Sequence, residues 1–324
     1  MTDPTRRLAP VVRLAPAKLN LTLAIVGRRP DGFHALHSVM VPVALADRLS
    51  VAVLPGGDDT LHSTGFDPGA PATNLVLRAI HGARDALRGS GTATPPLAAR
   101  LDKRIPVAAG LGGGSSDAAA AIAAALEAWD GELAPERHAD LAASLGSDVP
   151  FFLAGGPALV EGRGERLTPL HGLRGGDQPG LLIVTPAVAA RTADVFAAWA
   201  AGAMAAPGVA RRTSEHFASE FGSGLSGRQL IERAGVLAAA NDLLPAAAAV
   251  VPGLVSLRRA LTRLLRLPIG LSGSGPSLWA LYPSLESAEE AAAAVRSAID
   301  SGEIARLGDQ PPFVAATTIQ RSDR

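Results

Sequence analysis

The chain of 324 residues contains no cysteine, which excludes disulfides, thiolate-bound zinc and a thiol nucleophile. It lacks an excess of either charge, with 30 basic against 30 acidic residues, and so gives no support to nucleic-acid binding, which usually shows a basic surplus. No apolar run reaches membrane-spanning length without a charge, glycine or proline interrupting it. The early arginines, Arg6, Arg7 and Arg13, precede no apolar segment of signal-peptide type. Aromatic residues make up only 4% of the chain, so an aromatic side chain in a turn calls for an explanation. What is present is a hydrophobic fraction of 48%, enough for a folded globule, and a length sufficient for two domains. The default expectation is a cytoplasmic protein of enzyme size, without nucleic-acid or membrane partners.

Two further scarcities are more informative. Lys18 and Lys103 are the only lysines among the basic residues, and Asn20, Asn74 and Asn241 are the only asparagines. A coding bias that turns lysine into arginine leaves lysine where a compact point charge is needed, because a planar guanidinium does not replace it. Lys18 and Asn20 stand two apart beside Pro16-Ala17, which singles out this pair. Chance survival is the bland alternative.

Apolar patterning and turn residues lay out the chain. The tail to about Pro10 reads as flexible. Strand-like stretches follow at 11–15 and 19–26, broken at Pro16, then a Pro-Asp-Gly turn within 27–32, and strands at 36–43 and 48–54. Asn74 reads as the cap of a helix to about residue 87, followed by a strand at 97–101. A small-residue helix at 115–129 and a second at 135–144 come next, then a hairpin at 158–167 turning at Gly162 and Gly164. The Gly/Pro-rich stretch 172–180 divides the chain into domains 1–175 and 176–324. Beyond it the pattern predicts a strand at 181–185, helices at 192–200, 241–249 and 254–265, a strand–loop–strand at 269–281, a helix at 285–299 and a last strand at 313–318. Residues 202–227 carry no clear pattern and read as a mobile insertion.

The strongest chemical signal is the loop Pro106-Val-Ala-Ala-Gly-Leu-Gly-Gly-Gly-Ser-Ser-Asp117 between a strand and a helix. Backbone N–H groups at a helix N-terminus, unobstructed by side chains, make an anion site. No Lys-Ser/Thr follows the last glycine, so the loop is not a Walker A motif, and Gly-x-Gly-x-x-Gly does not fit it with dinucleotide-fold spacing. A tight turn packing a helix onto a sheet is the alternative. A second loop, Leu271-Ser-Gly-Ser-Gly-Pro-Ser277, lies between two apolar strands and suggests backbone approaching a ligand from a second side.

Pro16-Ala-Lys-Leu-Asn20, the loop 106–117 and Leu271-Ser-Gly-Ser-Gly-Pro276 resemble, in order, the three motifs of the GHMP kinase superfamily. Arg29-Pro-Asp-Gly-Phe-His34, Asn74-Leu-Val, Gly146-Ser-Asp-Val-Pro-Phe151 and Asn241-Asp-Leu narrow the resemblance to members acting on CDP-methylerythritol. The similarity covers roughly residues 11–200 and 235–318. It implies an α+β, two-domain GHMP kinase fold, with a ribosomal-protein-S5-like N-terminal and a ferredoxin-like C-terminal domain. It also implies transfer of the γ-phosphoryl group of ATP, with Mg²⁺, to an alcohol, by a monomer or weak homodimer. Carried over by position, Asp148 matches the catalytic base and Lys18 its charged neighbour. Asn20, Gly273 and Ser274 match substrate contacts, and Phe33 and His34 the pair holding the cytosine. Phe196 is a looser match for the opposing aromatic. The nucleotide is expected at Pro106, Ala108, Ala109, Gly110, Leu111, Gly112, Gly113, Gly114, Ser115 and Ser116, with Lys103 reaching towards it and Ser116 or Asp117 approaching the metal.

Departures from the pattern are small: Phe33 stands where tyrosine is frequent and Ser147 where alanine is usual. Alternatives stay open at this level. The alternatives are that Asp148 is a loop cap before Pro150, Lys18 and Lys103 are strand-end lysines, and His34 is a turn residue. His34 and His37 lack a third ligand at suitable spacing for a metal. Other alcohol kinases of the same superfamily, a non-catalytic nucleotide-binding module and a dinucleotide oxidoreductase are the competing functions.

Overall fold

The structure is a computed structural model that describes residues 9–30, 32–70, 73–175, 178–202 and 209–320. Most of the tail expected to be flexible, Asp31 of the Pro-Asp-Gly turn, part of the 172–180 boundary stretch and residues 203–208 of the 202–227 segment lie outside the described residues. The chain forms two compact units. The first comprises Met1–Pro16, Ala46–Val107 and Gly113–Leu153; the second Ala17–Leu45, Ala108–Gly112 and Ala154–Arg324. The units are interleaved along the chain.

The N-terminal half runs β1 (Val11–Asn20), β2 (Ala24–Arg28), β3 (His34–Val53), β4 (Thr60–Gly65), α1 (Leu75–Ala86), β5 (Leu97–Lys103), α2 (Gly113–Ala128), α3 (Pro135–Leu145), α4 (Val149–Ala154), β6 (Ala158–Gly162) and β7 (Arg166–Pro169). The rest runs β8 (Gly180–Thr185), α5 (Thr192–Gly202), α6 (Val209–Gly222), α7 (Gly227–Glu232), α8 (Ala234–Ala238), α9 (Leu244–Val250), α10 (Leu254–Leu265), β9 (Gly270–Leu271), β10 (Leu278–Tyr282), α11 (Leu285–Asp300) and β11 (Phe313–Thr318).

In the first unit, residues 48–53 of β3 pair antiparallel with β5, and β4 pairs parallel with β5. Helix α1 begins at Asn74, whose side chain accepts a hydrogen bond from the Val76 amide at 2.9 Å and so satisfies one of the orphan donors of a helix start. Helix α2 is buried along most of its length because it is built of alanines, which let its neighbours approach closely. Val76, Ile80, Leu97, Leu101 and Ile122 are buried in the core of this unit; each such side chain contributes about 1.5–3 kcal/mol of hydrophobic stabilisation.

In the second unit, residues 36–40 of β3 pair with β6, and β6 and β7 form the expected hairpin through Gly162 and Gly164, at φ +70° and +118°. The C-terminal part contains a four-stranded antiparallel sheet in the order β11-β8-β10-β9. Every residue of β8 and β10 is buried, and α11 packs along β8, β10 and β11.

Three expectations change. β1 continues through Pro16. Its one recorded strand neighbour among the described residues is β3, and a proline is tolerated in an edge strand that does not need its N–H. β3 is one strand of 20 residues, not two. Asp47, in the gap between the two expected strands, is fully buried and satisfied by the Arg104 and Ile105 amides at 2.5 and 2.8 Å. The described part of 202–227 is ordered secondary structure, dominated by α6. Ala210, Ser214, Phe217, Ala218 and Phe221 face inward at helical spacing; small and polar residues on that face hid the pattern.

Candidate active site

In the second unit β1 carries Lys18 and Asn20, each 4% exposed. Lys18 Nζ donates to Asn20 Oδ1 at 2.5 Å, and Asn20 Nδ2 donates to Ser38 Oγ at 2.8 Å. The strand places both side chains on one face because they are two residues apart.

The two glycine-rich loops meet beside this pair. The Lys18 amide donates to Leu111 O at 2.9 Å, Ser272 Oγ donates to Gly110 O at 3.0 Å, and the Ser277 amide to Ala109 O at 3.3 Å. Gly110 adopts φ +75°, and a Cβ there would run into the Ser272 carbonyl. A Cβ on Gly273 would lie 3.0 Å from Gly110 O, 3.1 Å from Lys18 Nζ and 3.4 Å from Asn20 Oδ1. Both glycines are therefore fixed by close approach. Asn241 holds the second loop, donating from Nδ2 to Leu271 O and Gly273 O at 2.9 and 3.0 Å. Ser274 Oγ lies 3.1 Å from Thr192 Oγ1. Ala108, Gly110 and Gly112 all have positive φ, at 53°, 75° and 70°. Alternation of this kind turns successive N–H groups towards one side and makes an anion-binding concavity.

In the first unit, Gly113 and Gly114 open α2, Gly114 being exposed and Ser115 half-buried. Beneath them Lys103, 3% exposed, pairs with Asp47 and, at 2.9 Å, with Asp117. A Cβ on Gly113 would lie 2.9 Å from Lys103 Nζ, so this ammonium underlies the start of the helix, and any contact with a nucleotide would draw on the same charge. Burial pushes the Asp117 carboxyl up to about 7, against the pull of Lys103. Ser116 Oγ and Asp117 Oδ1 are buried without a hydrogen-bond partner. Each is an oxygen donor of the type Mg²⁺ takes. No group of three or more His, Cys, Asp or Glu among the described residues is arranged for a metal. Asp148 is half-buried immediately before α4, its carbonyl accepting from the Phe152 amide at 3.4 Å.

The aromatic residues are also in the second unit. His34 stacks on Phe196 with centroids 5.5 Å apart and planes at 18°, and Trp199 meets His34 edge-on at 5.0 Å. Phe33 is 53% exposed, with the Arg163 guanidinium 5.0 Å above its ring. Burial, and the charge of Arg28, hold His34 below its usual imidazole value, which favours a neutral ring. The sequence reading overlooked Trp199, although its place three residues after Phe196 on α5 puts it on the same helix face. It also overlooked Thr192, Asp47, Ser38 and Ser214, each of which has polar or charged neighbours in the sequence and so carried no local signal.

Models of the GHMP kinases N terminal domain and the GHMP kinases C terminal match residues 74–156 and 224–301, which makes the protein a GHMP kinase of two-domain α+β fold. A 4-diphosphocytidyl-2-C-methyl-D-erythritol kinase of Pelotomaculum thermopropionicum is 37% identical over 290 residues, covering 88% of this chain and 94% of the relative. One of Mesorhizobium japonicum is 37% identical over 323 residues, covering 95% and 96%. A crystal structure of 4-(cytidine 5'-diphospho)-2C-methyl-D-erythritol kinase, 32% identical, aligns over 95% of this chain and 99% of that one with a TM-score of 0.67. The chain belongs to the 4-diphosphocytidyl-2-C-methyl-D-erythritol kinase family. An L. major mevalonate kinase, 18% identical with a TM-score of 0.69 over 99% of both chains, shares the fold.

Proposed function

We propose that the protein transfers the γ-phosphoryl group of ATP to the 2-hydroxyl of 4-diphosphocytidyl-2-C-methyl-D-erythritol, a step of non-mevalonate isoprenoid synthesis. The observation that carries this reading, beyond family membership, is the meeting of two glycine loops beside the buried Lys18–Asn20 pair. Phosphoryl transfer demands positioning and charge neutralisation more than covalent chemistry. The loop 106–116 and the N-terminus of α2 take the phosphates through backbone N–H groups, with Ser115 adding a hydroxyl. Ser116 or Asp117 would hold Mg²⁺, which would supply neutralisation of phosphate charge. Lys18 adds a point charge at the γ-phosphate and Asn20 contacts the acceptor. Asp148 orients the hydroxyl and accepts its proton late in the transfer. Phe33, His34 and Phe196 hold the cytosine, and Gly273 and Ser274 border the acceptor. Lys103 serves the nucleotide by supporting Gly113. On this reading residues 1–175 form the domain bearing the nucleotide loop and catalytic residues, and residues 176–324 the C-terminal domain.

The remaining proposals are a cytoplasmic monomer or weak dimer without nucleic-acid or membrane partners; the net charge is balanced, and no single helix among the described residues is long and apolar enough to cross a membrane. A coupled ADP-release assay with the CDP-alcohol, homoserine and mevalonate tests the function. Turnover with the CDP-alcohol is expected; turnover only with either rival refutes the assignment. Asp148→Asn is expected to retain ATP binding while turnover falls by orders of magnitude.

A further inference from the structure

The described part of 202–227, which the chemistry above does not use, ends in a buried polar chain that leads to Asn20. Ser214 of α6, fully buried, places its Oγ 2.7 Å from Thr22 Oγ1 and 2.8 Å from His37 Nδ1, and donates to His37 O at 3.2 Å. Thr22 Oγ1 in turn accepts from the Val39 amide at 3.0 Å. Burial holds His37 below its usual imidazole value, so the ring is neutral. With Ser214 giving its only hydrogen to the His37 carbonyl, the pattern closes when Thr22 and His37 Nδ1 both donate to Ser214. Every donor is then used, and Thr22 is fixed against β3.

The Thr22 carbonyl accepts from Ser38 Oγ at 2.5 Å. A carbonyl cannot donate, so the single hydroxyl hydrogen of Ser38 lies on that bond and the face of Ser38 turned to Asn20 is an acceptor. It must meet an N–H, which requires the amide nitrogen of Asn20 to face Ser38 and its oxygen to face Lys18. A flipped carboxamide would set oxygen against a lone pair and NH₂ against an ammonium, two unfavourable contacts in a buried setting. Ser38, 1% exposed, can thus fix the orientation of Asn20 without reaching any ligand itself.

We infer that Ser38 is a positioning residue for Asn20, anchored through Thr22 by Ser214 of α6, and that it sets the face of the carboxamide offered to the alcohol substrate. This rests on the reading of Asn20 as an acceptor contact. A double-mutant cycle tests it with ATP and 4-diphosphocytidyl-2-C-methyl-D-erythritol as substrates. Ser38→Ala is expected to lower kcat/KM for the alcohol about tenfold, with KM for ATP within about twofold of the parent. In an Asn20→Ala background the same substitution should change kcat/KM by less than about twofold, because its effect passes through Asn20. Should Ser38→Ala fail to fold, judged by ATP binding, Ser38→Cys keeps the volume with a weaker acceptor and should show the same non-additivity at smaller amplitude. A loss that persists undiminished beside Asn20→Ala, or no loss from either Ser38 variant, overturns the inference while leaving Asn20 in place. An Asn20→Ala enzyme with unaltered kcat/KM overturns the underlying reading and the inference with it.

Discussion

Replacing Lys103 by methionine should loosen the glycine-loop helix far more than its loss of one polar contact suggests. The ammonium is 3% exposed and lies between Asp47 and Asp117. After the change Asp47 still accepts from the Arg104 and Ile105 amides. Asp117 loses Lys103 from Oδ2, while its Oδ1 already has no partner; it must therefore take up a proton or remain a bare buried charge. Removing one partner of a buried pair costs about 3–5 kcal/mol, equivalent to about two to three and a half powers of ten in an opening equilibrium. Amide hydrogen exchange across residues 113–128 reads this directly, and protection there should fall by that factor. Adding Asp117→Asn to the methionine variant removes the stranded carboxylate and should restore protection about tenfold, a coupling expected only for groups in contact. The pH dependence has a definite sign. Burial raises Asp117 to about 7, so between its unfolded value near 4 and about 7 the native state binds the extra proton. Stability contributed by this group is therefore full at low pH and declines as pH rises through that window, a slope absent from Asp117→Asn. Undiminished protection in Lys103→Met, or strictly additive effects of the two substitutions, would refute the account of Lys103 as the support of the loop.

Gly114→Ala separates packing from phosphate binding: its Cβ would lie at an ordinary 3.5 Å from Leu75 Cδ1, so thermal stability should hold or rise by about 0.5–1 kcal/mol, while ATP affinity by titration should fall at least about tenfold because the backbone can no longer approach phosphate. Asp59 tests the other unit-forming charge in the same region. Burial alone would raise it, but hydrogen bonds from Arg84 and the Leu97 amide, with the charges of Arg84 and His81, hold it below the usual carboxylate range. Its stabilisation is present above about pH 4 and lost as pH falls through the lowered value, so urea unfolding should show Asp59→Asn clearly less stable at pH 7, with the gap to the parent narrowing as pH is lowered below about 4.

The elements that were legible in the sequence are those whose periodicity and caps agree: Asn74 before α1, the alanine-rich α2, the hairpin at Gly162 and Gly164, and the run from α10 to β11. The misread places share one cause, a residue whose local preference is overruled by a partner distant in sequence. Pro16 does not end β1, because the proline of an edge strand gives up no ladder bond it needs. The gap expected at 44–47 does not interrupt β3, since two amides some 57 residues away satisfy the Asp47 carboxylate. Ser214 sits on the buried face of α6 because His37 and Thr22 bond it. Single-chain patterning weighs a residue against its neighbours and has no access to these distant partners.

The scarcity of lysine and asparagine was a better guide to burial than to catalysis. All five survivors, Lys18, Asn20, Asn74, Lys103 and Asn241, are buried, between 3% and 8% exposed, and each makes a specific hydrogen bond. Asn74 caps a helix, Asn241 ties down the second glycine loop and Lys103 is held by two carboxylates. Survival against a coding bias therefore marks positions where geometry tolerates no substitute, whatever the purpose. What separates the two lysines is the company they keep. Lys103 lies between Asp47 and Asp117 under the start of α2, whereas Lys18 donates to the neutral carboxamide of Asn20 where the backbones of Gly110 and Gly273 converge. Those different settings, which no feature of the sequence specifies, agree with the roles proposed for the two lysines, Lys18 towards phosphate and Lys103 in support of Gly113.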